Sequence, residues 1–283
     1  QIKRYEFYKG CHLIFWGLFQ KIFVADSLAK MVDPVFASRP PYDGLLVLLS
    51  IYAFAFQIYC DFAGYSNIAR GLGKVMGFDI MVNFNLPYFS TNPQEFWKRW
   101  HISLSAWLRD YLYIPLGGNR YGTFNTYRNL AITMFLGGLW HGAAWTFVIW
   151  GVYWGVLLIV DRLLRPFLEK MPLPKNVLVK KIWFYVRVVF FFHLICLGWL
   201  IFRARSVGQV FDMLRNLFFN FNFQPNFTYM RASGFFSLIF FLTTLMFGLF
   251  KLMRILCMGR IASFDDTGKR RRNSNVNDVR HEY

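Results

Sequence analysis

The stretch LAITMFLGGLWHGAAWTFVIWGVYWGVLLIV, residues Leu130–Val160, contains a histidine, His141, and no Asp, Glu, Lys or Arg. A helix needs about 20 apolar residues to cross the hydrocarbon core of a bilayer. This run is too long for one upright crossing and too short for two. It therefore predicts either one long tilted helix or two segments broken at Gly137, Gly138 and Gly142, which meet inside a protein-enclosed cavity.

Other apolar runs indicate that the rest of the chain is also embedded in a membrane. Three further runs are read as intramembrane, and Leu13–Ala29 is a weaker, amphipathic candidate that carries two charges. Helices satisfy their own backbone hydrogen bonds in lipid, and the alternating pattern of a β-barrel does not occur. The sequence predicts an all-α integral membrane protein. The three runs are Gly44–Cys60, Trp183–Phe202 and Phe235–Phe250.

The formal net charge of +17 does not favour a nucleic-acid partner, because the basic residues lie between apolar runs. Lys and Arg concentrate in cytoplasmic loops of membrane proteins. We therefore expect Asp161–Lys181 and the C-terminus to be cytoplasmic. Residues 1–264 are predicted to form one transmembrane domain, and 265–283 a basic, disordered tail that fits contact with anionic lipid headgroups.

Between the spans, turn residues and amphipathic patterns set the expected boundaries. One long helix should run from about Leu45 toward Arg70 and end at Gly71 and Gly73. Residues 78–93 read as an irregular loop and 203–231 as a connecting segment. Apolar residues recur at three- and four-residue spacing over 94–113, which predicts one amphipathic helix at or dipping into the membrane interface.

Three histidines, His101, His141 and His193, are candidates for chemistry. A buried neutral imidazole can accept a proton from a hydroxyl group that attacks an activated carbonyl. The glycines beside His141 would let backbone or substrate approach closely. His193, on an apolar face, is interpreted as structural. The sequence has no G-x-S-x-G, Walker or H-E-x-x-H motif, and its four cysteines have no metal-site spacing, so no metal is expected.

For the polar residues other than histidine, the sequence mostly favours structural roles. Gln57 and Asp61 share a helix face at i,i+4, and Asp61 is expected to pair with an arginine such as Arg70, Arg99 or Arg109. The stretch Gly117–Arg120, which contains Asn119, is read first as a tight turn and second as a ligand contact.

Three motifs together resemble a known family. They are QIYCDFAGYS at Gln57–Ser66, FWKRWHISLSAWLRDYLYIPLGGNR at Phe96–Arg120 and GGLWHGA at Gly137–Ala143. These motifs are similar to those of the membrane-bound O-acyltransferases, most closely to the bacterial branch of alginate O-acetylases and teichoic-acid D-alanyl transferases. The middle motif is long and specific. The resemblance is strong over residues 57–154 and weaker to about residue 205.

The resemblance implies a multi-helix bundle with a central funnel or tunnel. It implies an enzyme that transfers an acyl group, expected to be acetyl, from a thioester to a hydroxyl of a cell-surface polysaccharide. The Trp-His-Gly histidine of the family maps onto His141 as catalytic base, and His101 takes a supporting catalytic role. Residues expected to bind substrate or to support these histidines are Asp61, Trp97, Ser105, Arg109, Asn119 and Trp140.

The same resemblance sets expectations for cofactors, partners and location. No tightly bound cofactor is expected. Acetyl-CoA or an acyl carrier protein would be the thioester co-substrate. The expected partners are the lipid bilayer, a polysaccharide acceptor and periplasmic or extracellular acetylation proteins, and nucleic acid is not among them. The expected location is the bacterial cytoplasmic (inner) membrane, crossed several times.

Family members are typically longer, with further helices before the segment that matches Leu13–Ala29. The sequence therefore carries the expectation of an N-terminally truncated copy of the family fold. Two other functions stay open at this stage. One is a membrane transporter or proton channel in which the histidines relay protons. The other is a catalytically inactive membrane scaffold for partner proteins.

Overall fold

The computed structural model describes residues 4–170, 176–219 and 221. Its first part is a helical hairpin. Helix α1 (Arg4–Leu18) continues through a wider π-helical segment, Phe19–Ala25, into α2 (Asp26–Ala37), and α3 (Gly44–Met76) packs back along α1.

The remaining described elements follow an irregular loop, as predicted for residues 78–93. The order is a 3-10 turn (Pro87–Phe89), α4 (Pro93–Trp97), α5 (Ile102–Leu108), a π-helical turn (Arg109–Tyr113), α6 (Gly122–His141), α7 (Trp145–Lys170), α8 (Val177–Arg203) and α9 (Val207–Phe218). Helix α9 lies in the stretch that was expected to be only a connection.

Helix α3 is longer than its glycines suggested. It begins after Asp43, whose Oδ1 accepts a hydrogen bond from the Leu46 amide at 3.1 Å. It passes through Gly71 and Gly73 and ends at Gly77, which has the left-handed φ of +87° that closes many helices. The prediction that Gly71 and Gly73 end the helix is wrong. Gly71 lies instead at a close contact with α1, where a Cβ would sit 2.6 Å from the Gly10 carbonyl oxygen.

The long apolar run is broken, which decides between the two predicted arrangements. Helix α6 ends at His141, residues 142–144 turn the chain, and α7 begins at Trp145. The two helices then pack against each other through Gly138 and Gly151, where an added Cβ on Gly151 would lie 3.1 Å from the Gly138 Cα. A single tilted helix over Leu130–Val160 is therefore wrong. The predicted break is confirmed at Gly142, whereas Gly137 and Gly138 lie inside α6 and do not break it.

The single amphipathic helix predicted over 94–113 is also wrong. Its apolar spacing is real, but the chain breaks between α4 and α5, where His101 adopts a left-handed backbone with φ +43°. A π-helical turn then replaces the last part of the predicted helix. The basic segment after the apolar run also differs from the loop that its charges suggested. Helix α7 continues to Lys170 and carries Arg162 and Arg165 on its last turns.

Three helices in the described part of the chain, α3, α7 and α8, are long and apolar enough to cross a membrane. They contain the predicted spans Gly44–Cys60 and Trp183–Phe202 and the second half of the broken run. Large apolar side chains such as Val156 and Phe190 are exposed along them, as expected for lipid-facing positions. The predicted span Phe235–Phe250 and the tail 265–283 lie outside the described residues.

Aromatic rings fill the space between α4, α7 and α8. Phe96 is fully buried and stacks on Trp154 at a centroid distance of 4.7 Å. Trp100 packs on Trp199 at 4.8 Å. Rings of this size bury much apolar area and fix one another's orientation. This cluster holds the segment before His101 against the helix that follows His141.

Candidate active site

His141 is the last residue of α6, and its ring lies among aromatic side chains of α7 and α8. The ring centroid is 5.1 Å from that of Trp150 and 5.2 Å from that of Phe202, both in edge-to-face geometry. In the described part of the chain neither ring nitrogen has a hydrogen-bond partner. The imidazole is therefore held by packing alone, and its nitrogens are available to a substrate.

The residue after His141 must be small. An added Cβ on Gly142 would lie 2.8 Å from Cε2 of Phe147. Real Cβ atoms do not approach other heavy atoms so closely, so a side chain here would push the Phe147 ring or the histidine turn aside. Close packing against the Phe147 ring therefore explains why glycine follows the histidine in the sequence motif.

His101 lies at the break between α4 and α5 in a left-handed conformation. A residue other than glycine is strained there, and such strain is found disproportionately at functional sites. Its ring meets Phe62 of α3 edge to face at 4.6 Å, and its Nδ1 lies 3.4 Å from the Ser103 hydroxyl oxygen.

Asn83, in the loop after α3, holds this strained turn in place. Its side-chain Oδ1 accepts hydrogen bonds from the Ser103 amide at 3.0 Å and the Ser103 hydroxyl at 2.6 Å. Its backbone oxygen accepts from the Ile102 amide at 3.0 Å. Nothing in the sequence pattern singled out Asn83, because it is remote in sequence from the helix start that it caps.

Trp140 connects the two histidines. Its ring lies 5.0 Å from the His141 ring and 6.5 Å from the His101 ring, and 62% of its surface is exposed. The structure therefore brings His101, Trp140 and His141 together, although 40 positions separate the two histidines in the sequence.

His101 lies outside the three candidate membrane helices. Burial, with a smaller contribution from the nearby His141, lowers the pKa of its imidazole to about 4. A lowered pKa keeps the His101 ring neutral at ordinary pH, so that one nitrogen can donate and the other can accept a hydrogen bond.

Two predicted site residues lie next to this group. Ser105 is in the first turn of α5, where its amide donates to the His101 carbonyl at 3.0 Å and its hydroxyl donates to the Trp100 carbonyl at 3.3 Å. Trp97 lies behind His141, edge to face with Trp150 at 5.9 Å, and belongs to the aromatic cluster.

Asp61 does not pair with an arginine, and that prediction is wrong. Its Oδ1 lies 2.7 Å from Nζ of Lys21, which also binds Asp26 at 3.0 Å. The i,i+4 face of α3 was expected to meet the arginines that follow, but α1 and its π-helical extension pack on that face and bring Lys21 to it. Asp61 therefore ties two helices together beside Phe62 and has no contact with either site histidine.

Arg109 and Asn119 lie away from the histidines. Arg109 is exposed and binds its neighbour Asp110 at 2.7 Å, and Asn119 is exposed on the turn after the π-helical segment. The residue that holds this turn is Asn129 of α6, which is fully buried and donates from Nδ2 to the Gly118 carbonyl at 2.9 Å. This supports the turn interpretation of Gly117–Arg120.

His193 has partners for both ring nitrogens. Nε2 lies 2.7 Å from the Tyr52 hydroxyl, and Nδ1 lies 2.7 Å from the Val189 carbonyl oxygen. The bond to Tyr52 links α3 to α8, and the bond to Val189 lies within α8, in agreement with the structural role predicted for His193. In the described part of the chain no three His, Cys, Asp or Glu side chains are grouped so that they could hold a metal ion.

Comparison with known proteins places this geometry in context. Residues 11–202 match the model of the membrane-bound O-acyltransferase (MBOAT) family. The chain is 49% identical over 213 residues to a probable alginate O-acetylase of Azotobacter vinelandii, covering 75% of this chain and 40% of that protein. The corresponding protein of Pseudomonas aeruginosa is 47% identical, with 75% and 39% covered.

A relative whose name gives a different acceptor also matches. A peptidoglycan O-acetyltransferase of Helicobacter pylori is 37% identical over 210 residues, covering 74% of this chain and 38% of that protein. The chain thus spans about two fifths of the length of these relatives. The matched family segment includes both site histidines.

Proposed function

The chain belongs to the membrane-bound O-acyltransferase family, and from that membership we propose that it transfers an acyl group to a hydroxyl of a cell-surface polysaccharide with His141 as the general base. Its relatives are described as alginate and peptidoglycan O-acetylating proteins. The proposed group is therefore acetyl, the proposed acceptor is a polysaccharide, and the proposed location is the bacterial inner membrane.

One observation carries this proposal. His141 is oriented by aromatic packing, has no hydrogen-bond partner in the described chain, and lies beside a second histidine across Trp140. A structural histidine is normally bonded at its nitrogens, as His193 is. An oriented imidazole with an open nitrogen suits proton transfer to or from a bound substrate.

The proposed reaction conserves protons and electron pairs. A neutral nitrogen of His141 accepts the proton of the acceptor hydroxyl while the hydroxyl oxygen attacks the thioester carbonyl carbon. The tetrahedral intermediate then collapses, the carbon–sulfur bond breaks, and the leaving thiolate takes the proton from the His141 imidazolium. Positioned general-base catalysis of this kind contributes about 10²–10⁴-fold to the rate.

His101 is proposed to support this step as a neutral imidazole. Its protonated nitrogen would donate a hydrogen bond to the oxyanion of the tetrahedral intermediate, where a preorganised donor is most effective. The donor is proposed to be a thioester such as acetyl-CoA or an acyl carrier protein, which is a co-substrate and not a bound cofactor.

The first prediction tests the base. We expect His141→Ala to lower transfer of radiolabelled acetyl groups to polysaccharide by about 10²-fold or more, because no other group would accept the hydroxyl proton. The measurement uses membranes from cells that express the variant in place of the wild type. His12→Ala, on the exposed face of α1, is the matched control and should retain activity.

Wild-type transfer rates in the His141→Ala membranes, with equal protein levels, would contradict the assignment. Proton flux through vesicles that contain the purified chain and no acyl donor would instead favour the transporter interpretation.

A further inference from the structure

A small open cavity lies between α1 with its π-helical extension, α3 and the loop after α3, and none of His101, Trp140 and His141 lines it. It is open on one side. Its wall combines aromatic rings with side chains that can donate hydrogen bonds. The donors are Gln20, Tyr59, Ser66, Asn67, Arg70 and Asn83.

Arg70 is the charged member of this wall, and it makes no direct ion pair in the described chain. In the described chain no carboxylate oxygen lies within 4.0 Å of its guanidinium, and its Nε is buried without a hydrogen-bond partner. Its one polar bond is from Nη1 to Oδ1 of Asn67 at 3.3 Å. By contrast, Arg99, Arg109, Arg165 and Arg203 each bind a carboxylate within 2.7 Å.

Nearby acidic residues contact lysines instead of Arg70. Asp61 binds Lys21 at 2.7 Å, and Asp79 binds Lys74 at 2.9 Å. Asp79 is still close enough for the Arg70 charge to help lower the pKa of its carboxyl group. The wall therefore presents a guanidinium that no carboxylate of the described chain contacts directly, which leaves its nitrogens free to bind an anion.

The neutral side chains of the wall are arranged as further donors. Asn67 Nδ2 donates to Gln20 Oε1 at 2.8 Å, which fixes both amides and leaves the Gln20 nitrogen without a partner in the described residues. The Ser66 hydroxyl, one position before Asn67, is likewise without a partner there. Arginine with amide and hydroxyl donors is the combination that binds phosphate and carboxylate groups.

We propose that this cavity is a binding site for a single oxyanionic group, a phosphate or a carboxylate, held by Arg70 with Gln20, Ser66 and Asn67. Asn83 lines the same cavity and also holds the turn that carries His101. An anion bound here would therefore lie across the Phe62 and Phe84 rings from His101. The proposal does not depend on acyl transfer, because binding alone tests it.

The test measures binding to the purified chain in detergent micelles by isothermal titration with inorganic phosphate and, separately, with glucuronate. Glucose is the uncharged control. We expect at least one anion to bind and Arg70→Gln to weaken it by about ten- to hundredfold, the range for hydrogen bonds to charged groups. Arg162→Gln, an exposed arginine on α7, should bind the anion like wild type.

Asn67→Asp is a second variant that keeps side-chain size. It places a carboxylate beside the guanidinium, so it should abolish anion binding while helicity and thermal stability stay at the wild-type level. If Arg70→Gln does not fold, Asn67→Asp still tests whether the anion binds in this cavity. The proposal is overturned if neither anion binds wild type, if glucose binds equally well, or if both cavity variants keep wild-type affinity.

Two sources could supply a phosphate group, a soluble molecule or a lipid headgroup. Nanodiscs of phosphatidylglycerol and of phosphatidylcholine separate them. Competition by the anionic lipid, which lowers the affinity for phosphate, would identify the headgroup as occupant. Unchanged affinity in both lipids would identify a soluble ligand. Both results require the Arg70-dependent binding that defines the site.

Discussion

At the residue scale, the position of His101 depends on a side chain from another part of the chain. Asn83 caps the start of α5 through Ser103, and the strained turn at His101 has no other side-chain cap. We expect Asn83→Ala to lower acetyl transfer about fivefold, because loss of a cap costs about 1 kcal/mol and frees the turn. The readout is kcat at saturating donor.

Asn85→Ala is the control for this prediction. Asn85 lies in the same loop, but its hydrogen bonds to the segment before His101 involve only its backbone. Its amide donates to the Arg99 carbonyl at 2.9 Å, and its carbonyl oxygen accepts from Nη1 of Arg99 at 3.4 Å. Alanine keeps both bonds, so activity should remain at the wild-type level. Equal losses in the two variants would show that the loop as a whole, and not the Asn83 side chain, positions His101.

The lowered pKa of His101 gives a pH dependence of stability. An unfolded histidine has a pKa of about 6.5, whereas burial lowers the pKa of folded His101 to about 4. Between these values the unfolded chain binds the proton and the folded chain does not, so the free energy of unfolding should fall as pH drops from about 6.5 to about 4.

Thermal denaturation followed by tryptophan fluorescence measures this effect. His101→Gln should reduce the loss of stability over that range, and His12→Gln should leave it as in wild type. A pH dependence identical in all three proteins would mean that His101 exchanges protons equally in the folded and unfolded states.

The sequence identified the site histidines but not the network that holds them. His141 stood out because a titratable ring lies in an apolar run, and His101 because of the motif around it. The left-handed turn at His101 escaped detection, since it depends on Asn83, which is separated from it in sequence. The partner of Asp61 was misjudged for the same reason, because Lys21 lies on a helix that the local pattern of α3 does not reveal.

At the element scale, the site depends on the close contact between α6 and α7. We expect Gly151→Ala to lower the free energy of unfolding by about 1–3 kcal/mol, as overpacking does. Its Cβ would lie 3.1 Å from the Gly138 Cα and closer still to the Met134 carbonyl oxygen. The separation of the helices would also displace His141, so acetyl transfer should fall with stability.

Gly155→Ala, about one turn further along α7, is the matched control. Its Cβ would lie 3.5 Å from the Met134 Cβ, an ordinary van der Waals distance. Stability in detergent should therefore stay at or above that of wild type. A Gly155→Ala variant as unstable as Gly151→Ala would show that α7 tolerates no added methyl group anywhere on this face.

The break between α6 and α7 could be foreseen because its cause is local. Three glycines and an excess of length over one membrane crossing are visible in the sequence, and the turn falls at Gly142–Ala144. The break inside 94–113 could not be foreseen, since hydrophobic spacing continues through it. Helical periodicity reports which face is buried, but it does not report a turn that is stabilised by tertiary hydrogen bonds.

At the scale of the whole described bundle, contacts set the relative directions of the three long helices. Tyr52, near the start of α3, binds His193, in the second half of α8. Phe147, at the start of α7, packs on Phe202 at the end of α8, at 5.0 Å. Helix α8 is therefore antiparallel to both α3 and α7. His141 contacts Phe202, so it lies toward the end of the bundle where α8 terminates.

This arrangement separates the candidate site from the basic segment. The basic residues at the end of α7 and the start of α8 lie at the opposite end of α8 from His141. They are Arg162, Arg165, Lys170, Lys180 and Lys181. From the positive-inside tendency we expect that end to face the cytoplasm. The site would then open toward the outer face of the membrane, where a cell-surface polysaccharide is found.

Cysteine labelling in intact cells tests this orientation. In a variant whose native cysteines are replaced, Arg205→Cys, just after α8, should react with a membrane-impermeant maleimide added outside. Glu169→Cys, at the end of α7, should react only after permeabilisation; both positions are exposed. The reverse pattern would place His141 toward the cytoplasm, and the acceptor would then have to reach it from the inner side. Because the contact between Phe147 and Phe202 holds α7 and α8 antiparallel, labelling of both sites from one side would contradict a single crossing by α8.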